Sequence, residues 1–155
     1  MKKYGILGII FGLLLCVSFS GCGEAQASEH DLKDGYYTAQ MKGYNHGWKE
    51  FVTICVMDNK IVSVEYNARN AAGFIKSWDS AYMREMDSVM GIYPNRYTRT
   101  YAAQLLDKQS AEDIDMLTGA SSSGKNFEKL AAAVLDHARK GDTKIAEVAG
   151  EPENE

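Results

Sequence analysis

The chain has 155 residues, with 17 Lys and Arg against 21 Asp and Glu and a formal net charge of −4 at pH 7. This acidic balance excludes the basic footprint of nucleic-acid binding and argues against electrostatic docking on anionic lipid. With three cysteines and 45% hydrophobic residues, the composition calls for one domain held by a real core rather than by disulfide staples.

Lys2 and Lys3 precede an uncharged run from Tyr4 to Phe19, rich in Ile, Leu, Gly and Val. This is the pattern of a secretory leader, shorter than the roughly 20 residues that span a bilayer. The run ends in Phe19-Ser20-Gly21-Cys22, which resembles the bacterial lipobox. That resemblance implies a signal peptide over 1–21 and a diacylated Cys22 as the mature N-terminus. The protein is then expected on the cell membrane, lipid-anchored and extracytoplasmic. The competing reading is an ordinary secretory leader cut nearby, for example after Ala27. Losing Lys2 and Lys3 makes the mature chain more acidic, so its membrane contact must come from lipid, and two or more acyl chains hold where one is marginal. Cys16 leaves with the leader and Cys22 carries lipid, so Cys55 remains alone without an intrachain partner. Residues 22–33 read as a polar tether, 34–142 as the folded domain and 143–155 as an acidic disordered tail.

Within the domain, Tyr36 to Met41 lies between Asp34-Gly35 and Gly43 and reads as a strand. In Trp48 to Met57, Val52, Ile54 and Val56 alternate with Phe51, Thr53, Cys55 and Met57, so a strand with two largely apolar faces is expected. Asp58-Asn59 is a turn pair before the strand Lys60 to Tyr66, which completes an antiparallel β-meander. The period then changes. Trp78, Tyr82, Met86, Val89 and Met90 share one helical face between an N-cap at Ser77 and a C-cap at Gly91. Pro94 opens a second helix with Tyr97, Tyr101, Ala102 and Leu105 on one face. Ser110 to Leu117 is a connection with Ile114 inward. A last helix from Ser123 to Lys140 buries Phe127, Leu130, Ala131, Val134, Leu135 and Ala138, and Gly141 stops it. Strands first and helices after predict an α+β fold, an antiparallel β-meander packed against two to three helices.

The segment Asp115-Met116-Leu117-Thr118-Gly119-Ala120-Ser121 runs into Ser122, Ser123, Gly124 and that helix. Hydroxyl residues before a helix commonly serve as caps. A flexible, hydroxyl-rich turn opening a helix is equally a place for an anion such as phosphate. His30, His46 and His137 lie far apart, without the spacing of a metal site. Cys55 reads as a small core residue. Most aromatics fall on buried stripes, and Trp48 is the freest. No glycine fingerprint follows a strand, so a Rossmann site is not supported.

Three segments in order carry a family resemblance. Asp34-Gly35-Tyr36-Tyr37 resembles the Asp-Gly-x-Tyr opening of the FMN-binding domains. Asp58-Asn59-Lys60-Ile61-Val62-Ser63-Val64 is similar to their Asp-Gly-Lys-Ile-x-x-Val hairpin. Asp115 to Ser121 resembles the motif to which FMN is esterified. The family includes flavin subunits of the sodium-pumping NADH:quinone oxidoreductase and of the Rnf complex, and lipid-anchored proteins of extracellular electron transfer. The likeness is nearest to its small membrane-anchored immunogenic lipoproteins.

The resemblance implies FMN as cofactor, bonded through its phosphate to Ser121 by a flavin transferase. Asp115, Thr118, Gly119, Ala120 and Ser122 carry over as cofactor-binding motif residues. Asp115 and Thr118 either hold the loop's shape or meet the transferase, and Gly119 permits close backbone approach. Ser122 and Ser123 are the expected caps. The respiratory members have Glu-Thr-Pro-Gly after the third strand. Here the loop reads Asn70 to Lys76, so their flavin contacts do not transfer, although Lys76 is suited to an anion or a ring carbonyl. The implied activity is that of an electron carrier between a membrane reductase and an extracellular acceptor, rather than of an enzyme with its own substrate. The alternative is a cofactor-free binding or antigenic lipoprotein of the same fold, with non-covalent FMN as a third possibility.

Overall fold

Alternating burial along three successive strands builds the sheet. The structure, a computed structural model, describes residues 31–150; the leader, Cys22, most of the tether and the last five residues lie outside the described residues. In β1 (Gly35–Met41), Tyr37, Ala39 and Met41 point inward, and in β2 (Lys49–Met57) Glu50, Val52 and Ile54 do so. β3 (Lys60–Arg69) turns Ile61, Tyr66 and Ala68 to the same side. Asp58 and Asn59 both adopt left-handed backbone, with φ of 51° and 60°, as a two-residue hairpin loop requires. A register shift between Cys55 and Val56 lets both be buried.

β1, β2 and β3 form the expected antiparallel meander. The sheet, however, is mixed. A fourth strand, β4 (Ala146–Val148), pairs parallel to β1, giving the order β3-β2-β1-β4. The acidic segment expected to be disordered over 143–155 therefore contributes a strand. Its backbone fills the free edge of β1, and Ala146 is buried there. At the opposite edge, Gln109 acts as a short substitute strand. Its side-chain amide accepts from Ile61 N at 2.8 Å and donates to Ile61 O at 3.0 Å.

Two of the three helices cover one face of the sheet, in agreement with an α+β fold. α3 (Ser121–Lys140) buries the predicted stripe of Phe127, Leu130, Ala131, Val134, Leu135 and Ala138. α2 (Pro94–Lys108) starts at Pro94 and buries Tyr97, Tyr101 and Leu105. Tyr66, Tyr101 and Phe127 meet at the centre, with ring centroids 4.8–6.2 Å apart. Ile114 points inward, as expected.

The helix expected between Ser77 and Gly91 differs. Ser77 does not cap it but sits buried in a 3-10 turn (Lys76–Trp78), bonded to Asn67 at 2.8 Å. α1 (Ser80–Met90) starts later, capped by Asp79, whose carboxylate accepts from Ala81 N and Tyr82 N. Trp78 and Val89 are 67% and 74% exposed, and α1 has no fully buried residue. With Trp78 outside the helix, the apolar face shrinks to the half-buried Tyr82, Met83 and Met86.

Candidate functional site: the loop before α3

The Asp115–Ala120 loop is held mainly by two side chains of α2. Gln104 accepts from Asp115 N at 2.7 Å and donates to Asp115 O at 3.0 Å. The buried Tyr101 hydroxyl accepts from Leu117 N at 2.9 Å and donates to Ala120 O at 3.2 Å. Asp115 itself is exposed, with its carboxylate 3.3 Å from Lys108 Nζ. Of the two roles open to Asp115, backbone shaping thus falls to Gln104 and Tyr101 instead. Thr118 is exposed.

Gly119 is needed twice over. Its φ is +80°, and a Cβ there would lie 2.9 Å from both Met90 O and Ile92 Cγ2. The turn closes with Ala120 N donating to Leu117 O at 3.0 Å. Ala120 is then the N-cap, with no side chain to accept from the first turn.

The helix begins at Ser121, two residues before the expected start. Ser121 and Ser122 occupy its first two positions, both exposed. The caps expected at Ser122 and Ser123 are not formed. No acidic residue sits in this first turn. Uncapped amides and the positive end of a 20-residue helix therefore face Ser121.

Ser123 serves a different purpose. Its hydroxyl donates to Glu50 Oε1 at 2.8 Å, and Asn126 Nδ2 donates to Glu50 Oε2 at 2.6 Å. The Tyr66 hydroxyl lies 3.1 Å from Glu50 Oε1 and 2.8 Å from Ser123 O, sharing one proton between them. Glu50 is only 8% exposed. Burial, and then the nearby Glu50, push the Tyr66 phenol well above its ordinary value. A carboxylate on the inward face of β2 thus pins the start of α3 to the sheet. Sequence reasoning missed it. The signal was its parity with Val52 and Ile54, which marks an acidic residue pointing into the core.

Lys76 completes the cluster. Its ammonium lies 4.9 Å from the Tyr82 ring centroid and 6.0 Å from that of Trp48. The Tyr82 and Tyr97 phenols and the Glu50 carboxylate lie near enough to act on its charge. Burial alone would lower the lysine's pKa, but Tyr97, Tyr82 and Glu50 outweigh it and hold the value above normal. Trp48 is therefore engaged, packing 6.1 Å from Tyr82, rather than free.

Two grooves lie elsewhere. One of about 660 Å³ runs beside β3 and α2, lined by Asn67, Trp78, Arg99 and Leu106 among others. Another of about 410 Å³ lies by Ser110 and the C-terminal half of α3. Neither includes Ser121 or Lys76. Among the described residues no group of three or more His, Cys, Asp or Glu is placed to hold a metal. His46 is exposed in a loop, and His137 lies 3.1 Å from Lys144 O. Cys55 is buried in the sheet. Among the described residues no helix is long and apolar enough to cross a membrane.

No protein-family model matches the chain. It is 34% identical over 133 residues to the 15 kDa lipoprotein of Treponema pallidum (strain Nichols), an alignment covering 85% of this chain and 91% of that protein. Its fold is similar to the crystal structure of the CPE2226 protein of Clostridium perfringens. The TM-score is 0.73 at 40% identity, over 77% of this chain and 99% of that one. At that identity and coverage, the chain belongs to the family of the 15 kDa lipoprotein of Treponema pallidum.

Proposed function

We propose that this protein is a lipid-anchored, extracytoplasmic electron carrier that holds FMN through a phosphodiester to Ser121. The observation that carries the reading is the position of Ser121. An exposed alcohol stands at the first residue of a long helix, beside uncapped amides and with no acidic residue in the helix's own first turn. That donor set suits a phosphodiester, which is anionic and accepts hydrogen bonds. The loop before it is rigidly held by Tyr101, Gln104 and the close fit of Gly119, so the alcohol is presented in one geometry. The family likeness supports the anchor, since the Treponema relative is named a lipoprotein.

In this reading a flavin transferase recognises the exposed face around Asp115, Thr118 and Ser122, while Gly119 and Ala120 shape the turn. When bound, FMN supplies reversible electron uptake, and the protein supplies position and charge. A covalent tether prevents loss of cofactor outside the cell. Electrons come from a membrane reductase and leave to an extracellular acceptor.

Purification from the native host tests the reading. Yellow colour that stays with the polypeptide after denaturation supports it. Colour lost on denaturation indicates non-covalent FMN. A colourless protein of unmodified mass refutes it and favours a cofactor-free binding lipoprotein.

A further inference from the structure

The edge strand β3 is covered at its two ends and open in its middle. Near its start, Gln109 bonds Ile61 N and O as a neighbouring strand would. Near its end, Ile75 forms an antiparallel bridge with Arg69, and Asn70 N donates to Phe74 O at 3.0 Å. Val62 to Ala68 lie between, a stretch of about 23 Å at roughly 3.3 Å per residue. Backbone groups along a strand face its two sides in alternation. Counting back from Asn70, those of Val64 and Tyr66 face the open side. Counting forward from Ile61 agrees, because Val62 is the extra residue of the register shift. Among the described residues, no loop or side chain bonds the N–H or C=O of Val64 or Tyr66 on that side. Nor does the stretch contain Lys or Pro, which commonly blunt an edge.

The groove of about 660 Å³ follows this open stretch. Val64 to Asn67 line one side of it, and Arg99, Ala102, Ala103 and Leu106, a single stripe of α2, line the other. α3 packs on β1 and β2, and α2 on β3. Neighbouring helices stand about 8–10 Å apart and strands about 4.8 Å, so α2 overhangs the place of the next strand. One strand fits beneath it. A second copy entering by its own β3 does not fit, because two-fold symmetry would bring its α2 into the same space. The walls define the occupant. Ala102 and Ala103 are small and leave room for side chains, while Trp78 and Leu106 expose apolar surface. Glu65, the carboxylate of the groove, accepts from Asn67 Nδ2 at 2.9 Å. Arg99 is exposed and enters no ion pair or side-chain hydrogen bond among the described residues. We propose that this groove binds an extended peptide segment of a partner protein, which adds to β3 as a fifth strand and sets an acidic side chain against Arg99. Val64 and Tyr66 hold its backbone, and the α2 wall selects its side chains. The groove does not include Ser121, so the binding is independent of any flavin there.

The test screens the full chain, purified in detergent, against a displayed library of random ten-residue peptides. The expected result is enrichment of peptides that carry an acidic residue among apolar ones. Ala103→Trp, which fills the groove, should weaken their binding about tenfold or more. Arg99→Glu should weaken it about fivefold. Both residues are exposed on α2, so the circular dichroism of the variants should match that of the wild type. Failure to enrich any peptide, or equal binding to Ala103→Trp, overturns the proposal. Binding unchanged in Arg99→Glu overturns the acidic partner. A dimer in sedimentation that Ala103→Trp dissociates would place a second copy in the groove and overturn the peptide as occupant.

A second measurement needs no variant. With an enriched peptide bound to the wild type, amide hydrogen exchange at Val64 and Tyr66 should slow by about tenfold or more. N-methylation of the peptide at alternate residues should abolish binding, and at the intervening residues should leave it. Unchanged exchange at Val64 and Tyr66 overturns strand addition.

Discussion

Gly124→Ala tests whether the start of α3 is locked. In most helices this change stabilises by up to about 1 kcal/mol through helix propensity. Here a Cβ would meet Met116 Sδ and lie 2.5 Å from the Tyr101 hydroxyl oxygen and 2.9 Å from its Cζ. Met116 is exposed and can swing away. Tyr101 cannot, because it is fully buried and its hydroxyl holds both Leu117 N and Ala120 O. Overpacking of this kind costs about 1–3 kcal/mol, and each hydrogen bond lost adds about 1 kcal/mol. After the propensity gain, a net loss of about 1–4 kcal/mol is expected. Urea unfolding of the purified leaderless chain, followed by circular dichroism, measures it. With a slope of about 1–3 kcal/mol per molar, the midpoint should fall by about 0.3–4 M. Ser122→Ala, exposed in the same turn, should stay within about 0.5 kcal/mol. A Gly124→Ala protein as stable as wild type would mean that Tyr101 is free to move and that the loop is not held as described.

The remaining expectations address the core, the titrating groups and the anchor. Leu130→Ala and Val134→Ala should each cost about 1–5 kcal/mol in the same assay through lost burial and a cavity, whereas Val89→Ala, on the exposed face of α1, should cost less than about 0.5 kcal/mol. Stability should fall as the pH rises beyond about 10, the ordinary tyrosine value, because burial raises the folded-state pKa of Tyr66, Tyr97 and Tyr101. The folded protein then retains protons that the unfolded chain has begun to lose, so the stabilisation is complete below that value and declines as pH climbs through the folded pKa values. Tyr66→Phe should make this alkaline decline shallower, and an unchanged slope would show that the phenol does not titrate on unfolding. Cys22→Ala should move the protein out of the detergent phase, and a variant still lipid-labelled and detergent-partitioned would rule out the lipid anchor.

What was legible depended on periodicity. α3 could be read because Phe127 to Ala138 repeats at helical spacing over several turns and all of it packs on the sheet. The hairpin could be read because Asp58-Asn59 supplies the turn and β2 and β3 alternate on either side. α1 misled because Trp78, Val89 and Met90 also fit a helical face, yet no element covers that face. Apolar spacing reports a possible stripe and says nothing of what lies against it. β4 was illegible for a different reason. Three residues, one of them Glu147, enter the sheet through backbone pairing with β1, which composition does not encode. At the site, the loop's sequence drew attention to Ser121, but its supports came from remote positions. Gln104, Tyr101 and Glu50 reach it through tertiary contacts alone. Glu50 and Asn126, which bond directly, lie on β2 and α3.

The central claim is that FMN is esterified to Ser121. The most direct measurement is tandem mass spectrometry of peptides from the protein co-expressed with a flavin transferase. The account predicts an FMN increment localised to Ser121, abolished in Ser121→Ala, largely kept in Ser122→Ala, and kept or raised in Ser121→Thr. An increment that persists in Ser121→Ala, or a wild type that no competent transferase modifies, would contradict it.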